Sequence, residues 1–313
     1  MDFSLLRELC AIPGISGDEA RVRDFLLNYI QTRQDSWKVR PVVHAGPEFQ
    51  NNIILIFGKP RTAIYAHQDS VGYMVRYGRE VVKVGGPKAG TGTALVGEDS
   101  QGPLLCSLVL NSQEDLEGDQ FPPLIYDCER EIDSGTALSY RPDFRESDDK
   151  VRCCYLDDRL GIWNALQVAE DLENGAIAFT CCEEVGSSSA RFAGRFLYEE
   201  YGVRQALISD ITWVTEGVRA GGGVAITVRD RGLPRREYVN RIFALARESG
   251  IAHQVEVESS GGSDGNHLGK IPYPIDWCFV GAPESNVHSP DETVHKADIR
   301  AMVDLYRYLM ARL

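Results

Sequence analysis

His67, Asp157, Glu184, Asp210 and His288 are of the types that bind divalent metal ions, and they lie far apart in the chain. Two imidazoles and three carboxylates make a mixed nitrogen and oxygen donor set, suited to two neighbouring ions such as zinc, cobalt or manganese. Most of them follow short apolar runs that read as β-strands: Thr62 to Ala66 before His67, Ala176 to Cys182 before Glu183 and Glu184, and Ala206 to Ser209 before Asp210. His288 trails the run Ile275 to Val280 by a short loop. Open α/β sheets present reactive groups at the carboxyl ends of their strands. Any one of the five is an ordinary loop residue by itself; their joint placement points to one site and to a hydrolase.

Three pairings sharpen that chemistry. His67-Gln68-Asp69 closes a strand, and its carboxylate is spaced to hold the imidazole in one tautomer while the other ring nitrogen binds metal. Asp157-Asp158-Arg159 opens a helix, where free backbone N–H groups favour carboxylates, so an acidic helix start is the plain reading of that pair alone. Glu183 and Glu184 are different, because they follow the very apolar AIAFTCC, where strand stability has no use for charge. Two adjacent buried carboxylates repel, and each costs several kcal/mol unless a cation or proton is near. One can bind metal while the other handles protons for a water whose pKa the ions lower.

The elements that must position these groups are legible in outline. Helical spacing of Phe3, Leu5, Leu6, Leu9 and Cys10 stops at Pro13-Gly14. A second helix runs through Val22, Phe25, Leu26, Tyr29 and Ile30, and Ser16 with Glu19 predicts a capping box at its start. Asn52 to Phe57 and Thr62 to Ala66 read as two buried strands joined by a Gly-Lys-Pro turn. Between about 70 and 150 short β-prone pieces alternate with turn-rich stretches, the texture of an inserted β-rich module. Helical patterns return at Leu160 to Leu172 and Ala190 to Tyr201, then from Pro234 to Glu248 with Gly250 as the stop, and finally at Ile299 to Leu313. Alternating strands and helices predict an α/β fold.

Composition bounds the function classes. The chain has 313 residues, 43% hydrophobic and 25% charged, as in an ordinary globular protein. A net charge of −13 disfavours nucleic acid and anionic membranes as partners and leaves a small substrate such as a peptide. Eight cysteines without C-x-x-C spacing suggest reduced thiols in a cytoplasm. The start MDFSLLRELCAIPG lacks the basic and apolar segments of a secretory signal, and no apolar run is long enough to cross a bilayer. Gly221-Gly222-Gly223 lacks the lysine of a phosphate-binding loop and reads as a turn. His44, His253 and His295 have no partner spacing and read as surface residues, and His267 as a residue near the site that lies in a loop or packs behind the ligands.

Taken in order, His67-Gln68-Asp69, Leu156-Asp157-Asp158-Arg159, Cys182-Glu183-Glu184-Val185-Gly186, Asp210, Gly261-Gly262-Ser263-Asp264 and Val287-His288-Ser289-Pro290 resemble the motifs of the M42 family of metallo-aminopeptidases over nearly the whole chain. The resemblance implies that Asp157 bridges two ions, that His67 and Asp210 complete one site, that Glu184 and His288 complete the other, and that Glu183 is the general base. It also implies a zinc-peptidase-like three-layer α/β/α catalytic domain with a mixed sheet, formed by 1–69 and 151–313. The insertion at 70–150 would then be a small β-rich domain used in dimer contacts. Members assemble into large hollow particles, so a homo-oligomer acting on short peptides is expected. The chain departs from the family pattern at Ser70, where an acidic residue is usual, and at Ser263-Asp264-Gly265, where a threonine precedes Asp-Ala. Rival readings of the same residues are a metal-dependent deacylase of the wider zinc-peptidase group, a glycoside hydrolase with paired carboxylates, and a binding or scaffold protein without turnover.

Overall fold

The structure, a computed structural model, describes residues 1–110 and 124–313. Its framework begins with α1 (Ser4–Cys10), α2 (Ala20–Arg33), β1 (Val42–Gly46), β2 (Gln50–Phe57) and β3 (Thr62–His67). Six strands follow: β4 (Gly72–Val75), β5 (Glu80–Val84), β6 (Ala94–Asp99), β7 (Gly102–Leu110), β8 (Leu124–Asp127) and β9 (Ala137–Tyr140). They close a barrel in the order β4-β5-β8-β7-β6-β9, a closure that removes exposed sheet edges.

The chain then returns to the large sheet. It forms β10 (Arg145–Glu146), β11 (Lys150–Cys153), α3 (Leu156–Ala169), β12 (Gly175–Thr180), α4 (Ala190–Tyr201), β13 (Gln205–Ile208) and β14 (Ile211–Trp213). After these come β15 (Val224–Arg229), α5 (Arg236–Ser249), β16 (His253–Val257), α6 (Asp264–Leu268), β17 (Asp276–Ser285), β18 (Glu292–His295) and α7 (Lys296–Met310). The main path of this sheet is β1-β2-β12-β3-β13-β17-β18-β11-β10, with β14 and β15 also on β17 and β16 on β15. Parallel pairs β12·β3, β3·β13 and β13·β17 sit at its centre, with antiparallel pairs outside, so the fold is mixed α/β as predicted.

Two-residue periodicity explains the layers. Ile53, Leu55, Phe57, Ile64, Ile177 and Phe179 face one buried cluster with α1, α2, α3 and α7. Ile54, Ile56, Ala63, Tyr65, Ala176 and Ala178 face the other with α4 and α6. Alternate side chains point to opposite faces of a strand, and helices cover both faces, which is why these strands are apolar throughout. Each fully buried Leu or Ile contributes roughly 1.5–3 kcal/mol relative to exposure.

Strands β2 and β3 are buried and joined by a turn as expected, and β12 lies between them, antiparallel to β2 and parallel to β3. One expectation is corrected. The capping box is absent: α2 has no side-chain cap, and the Ser16 hydroxyl donates instead to Oδ2 of Asp69 at 2.6 Å. Glu19 accepts from the amides of Gly17 and Cys182 and from Asn51, tying the helix start to the loop after β12.

Candidate metal centre and active site

Each predicted ligand lies at or just beyond the end of a strand, or where a helix begins. His67 is the last residue of β3, Glu183 and Glu184 follow β12, Asp210 lies between β13 and β14, Asp157 is in the first turn of α3, and His288 is in the loop from β17 to β18. Parallel β12, β3 and β13 bring their carboxyl ends to one edge, so residues separated by more than a hundred positions meet there. All five side chains, with Glu183, line one cavity of about 420 Å³.

Asp157 is the centre of the geometry. Its Oδ1 lies 3.2 Å from Nε2 of His67, and its Oδ2 lies 3.3 Å from Nε2 of His288. Nε2 of His67 is also 3.8 Å from Oδ2 of Asp210, and Nε2 of His288 is 3.2 Å from Oε2 of Glu184. Two ligand groups result, His67–Asp157–Asp210 and Asp157–Glu184–His288, in each of which the donor atoms lie within 4.8 Å of one another. The other oxygen of Glu184, Oε1, is buried with no hydrogen-bond partner among the described residues. A buried carboxylate oxygen left unpaired is costly in isolation and is what a cation would satisfy. The donor set therefore fits divalent metal.

Crowded acids shape the ionisation. Burial pushes Asp210 and Glu183 well above the carboxylate range; Asp157 raises Asp210 further, and Asp210 and Glu184 raise Glu183. Burial and the Asp157 charge likewise raise Glu184. Burial opposes charge on the His288 ring, but Asp157 and Glu184 outweigh it and lift its pKa from 6.5 to about 11. Burial also opposes charge on His67, where Asp157, Asp69 and Asp210 prevail. Asp157 is buried too, yet the two imidazoles hold its pKa below the usual range. Among the described residues, the nearest positive charges to these acids are the imidazoles themselves.

A second ring of buried carboxylates grips the main chain of these residues. Asp69 accepts from the amides of Glu183 and Glu184 at 3.0 and 3.1 Å, besides Ser16. Its carboxylate is 3.6 Å from Nδ1 of His67, whereas its carbonyl oxygen is closer at 3.1 Å. Asp69 thus sets the turn bearing Glu183 and Glu184 more directly than it sets the imidazole. Asp158, in cis peptide linkage to Asp157, accepts from the amides of His67 and Gly161 at 3.1 and 2.8 Å. A Cβ on Gly161 would lie 1.9 Å from the Ser209 carbonyl, so only glycine lets α3 approach the loop carrying Asp210. Glu292 accepts from the amides of both Asp157 and His288, at 3.2 and 2.9 Å. Sequence reasoning missed Glu292 and gave Asp158 no task, because a bond to a backbone amide leaves no spacing signature.

The barrel completes the site. The His288 carbonyl accepts from the Tyr140 hydroxyl at 3.0 Å and from the Lys88 amide at 2.9 Å. His288 is held at φ 67°, an uncommon conformation for a non-glycine residue, and those two bonds fix it from outside. Arg159 is fully buried and spends its guanidinium on the carbonyls of Leu9, Ile12 and Gln68. Asp264, from the Gly261 to Asp264 motif, accepts from Thr180 and Ser188, anchoring α6 to the end of β12.

The remaining histidines do not join the ligand groups. His44 is half-buried rather than a plain surface residue and contacts the Tyr201 hydroxyl at 2.6 Å. His253 bonds the Ile251 carbonyl, and Nδ1 of His295 accepts from the Ala297 amide as the cap of α7. His267 is buried on α6 and borders the cavity outside both ligand groups, which fits the reading of a residue beside the site rather than that of a loop. The glycine run is a turn, as predicted, and its amides hold an anion: Gly221 and Gly223 each donate to Asp298 at 2.7 Å.

A mixed α/β fold whose strand ends gather two histidines and a carboxylate cluster has the architecture of a metallopeptidase, and sequence comparison assigns the family. Residues 127–305 match the model of the M42 glutamyl aminopeptidases, and the chain belongs to that family. It is therefore a peptide-bond hydrolase, which removes the glycosidase and scaffold readings. A relative from Acetivibrio thermocellus is 26% identical over 97% of this chain and 96% of its own. The fold is similar to that of aminopeptidase APDkam598 from Desulfurococcus kamchatkensis, with TM-score 0.86, 18% identity and coverage of 99% and 94% of the two chains. It is also similar to the TET1 peptidase of Pyrococcus horikoshii, with TM-score 0.80, 24% identity and 99% of each chain covered. Among the described residues, no helix is long and apolar enough to cross a membrane.

Proposed function

We propose that this chain is a dinuclear aminopeptidase that removes residues from the N-termini of short peptides, with Glu183 as general base. The observation that carries the reading is Asp157, whose two oxygens face two different imidazoles. His67, Asp157 and Asp210 would hold one ion, and Asp157, Glu184 and His288 the other. The three ligand carboxylates and Glu183 crowd four acids at one end of the cavity, a density that two dications would offset better than one. Zinc suits the donor set, and cobalt or manganese accept the same ligands. Bound there, the ions would supply Lewis-acid chemistry, lowering the pKa of a water and polarising the scissile carbonyl.

The chain's own groups supply the rest. Glu183 lines the cavity but belongs to neither ligand group, and so is suited to take the proton of the attacking water and pass it to the leaving amine. Asp69 fixes base and ligand together through their adjacent amides. A cavity of about 420 Å³ suits the end of a peptide rather than a folded protein. Residues 1–69 with 151–313 would form the catalytic unit, and 70–150 an inserted module for contacts in a homo-oligomer, in keeping with the tetrahedral or octahedral shells named for the Pyrococcus horikoshii peptidase. A cytoplasmic location accords with the free cysteines.

The test is Glu183→Gln assayed on leucine p-nitroanilide. Turnover should fall by about 10²–10⁴-fold while bound metal is unchanged. Chelation should abolish wild-type activity and added zinc, cobalt or manganese restore it. Undiminished turnover in the variant would remove Glu183 as base, and release of acyl groups in preference to amino acids would favour the deacylase.

A further inference from the structure

The cavity extends beyond the metal ligands to a wall that the proposed chemistry does not use. Glu256, on β16, and Asp230, after β15, line it and are 4% and 7% exposed. Every hydrogen-bond partner of these two carboxylates is neutral. Glu256 accepts from the hydroxyls of Thr212 and Thr227, and Asp230 from the Gly232 amide and from Nδ2 of Asn266. Neither forms an ion pair among the described residues. His267, 6% exposed, borders the same cavity, and its Nδ1 is buried with no hydrogen-bond partner among the described residues.

Groups of opposite sign also border the cavity, namely Arg231 and Lys270, but both are exposed. Exposed cations keep their water and act through a high effective dielectric, whereas two carboxylates shielded from solvent act on a guest at low dielectric. The buried pair therefore sets the sign of the field at this wall. A carboxylate buried without a cation is destabilised, and a cationic guest removes that cost.

The geometry points to a subsite at Asp230 and Glu256 that takes a cationic side chain, so the peptidase prefers lysine or arginine at the N-terminus. Threonine hydroxyls and the Asn266 amide fix both carboxylates, so they need little reorganisation when an ammonium or guanidinium arrives. The preference is opposite to the glutamyl specificity in the family's description. The inference rests on the aminopeptidase reading for its turnover but not for its binding.

Two measurements test it. In the first, the metal-loaded protein hydrolyses p-nitroanilides of lysine, arginine, leucine and glutamate. The lysyl-to-glutamyl ratio of kcat/KM should exceed tenfold, and the lysyl-to-leucyl ratio should fall at least tenfold in Glu256→Gln and in Asp230→Asn. Either variant suffices if the other fails to fold. A preference for glutamate overturns the inference, as does an equal loss on all substrates, which would make the carboxylates an anchor for the α-amine common to every substrate. In the second, calorimetry compares L-lysine with L-norleucine, which lacks the terminal ammonium, on metal-loaded Glu183→Gln. Lysine should bind at least tenfold more tightly, and the gap should close when Glu256→Gln is added. Equal binding overturns the subsite. If no p-nitroanilide is cleaved yet lysine is still favoured, the aminopeptidase reading fails and the subsite stands.

Discussion

The acids of the barrel and the acids of the metal centre are treated in opposite ways. In the barrel, Asp99 accepts a bidentate pair from Arg130, at 2.5 and 2.8 Å, and amides from Gln101 and Asp133. Arg130 and those amides hold its pKa well below the usual range, as a carboxylate placed for its own stability should be. At the centre, Asp210, Glu183 and Glu184 face one another with no lysine or arginine in their ion pairs, and burial raises all three. The same side-chain chemistry thus serves two ends. One region completes its own charge balance, and the other leaves a deficit that a bound cation fills.

The contrast can be pressed hardest at Glu292, whose carboxylate holds the amides of Asp157 and His288 without lining the cavity. Glu292→Ala should weaken metal binding by about 10–100-fold, with activity recovered at high metal concentration. Unchanged affinity by competition with a chelator would show that the ligands hold their places without it.

Protons offer a second, smaller lever. Since Asp157 and Glu184 raise His288 to about 11, its ring is charged at neutral pH in the metal-free protein, and a metal ion must displace that proton. Zinc affinity should fall as pH falls, by up to about tenfold per unit for each proton displaced. Calorimetry at pH 7 in buffers of different ionisation heat should register proton release; none would contradict the assigned ion pairs. In the metal-free protein the sign is reversed. The charged ring adds stability that is complete below 6.5 and is lost as pH rises toward 11.

The smallest effect belongs to the barrel. Arg130→Ala should leave turnover within about twofold, because this half-buried ion pair shares no residue with the cavity that holds the candidate ligands. Its trace should appear on the acid side, where the Asp99 contribution, present above an unfolded pKa near 3.8, is lost as pH drops. A large loss of turnover would link the barrel charge to catalysis.

The five candidate ligands were legible because histidine and carboxylate at the ends of apolar runs break a pattern that strand stability alone would produce. Glu183 stood out for the same reason. The carboxylates that grip backbone amides were not legible in that way. Glu292 sits in the ordinary polar run Asp291-Glu292-Thr293, and nothing in that run announces bonds to amides 135 and 4 residues away. Ser16 shows the converse failure. Its spacing to Glu19 suits a capping box, but Asp69, 53 residues on, takes its hydroxyl. Sheet order was hidden for a related reason: apolar runs mark β2, β3 and β12 as buried strands, while the insertion of β12 between the other two is a long-range outcome of packing.

The central claim is that Asp157 serves two ions at once. Elemental analysis of the purified protein after dialysis against trace zinc, run beside Asp157→Ala, measures it. Two ions per wild-type chain and fewer than one in the variant are predicted. A single ion in the wild type, or two retained without the Asp157 carboxylate, would contradict the account.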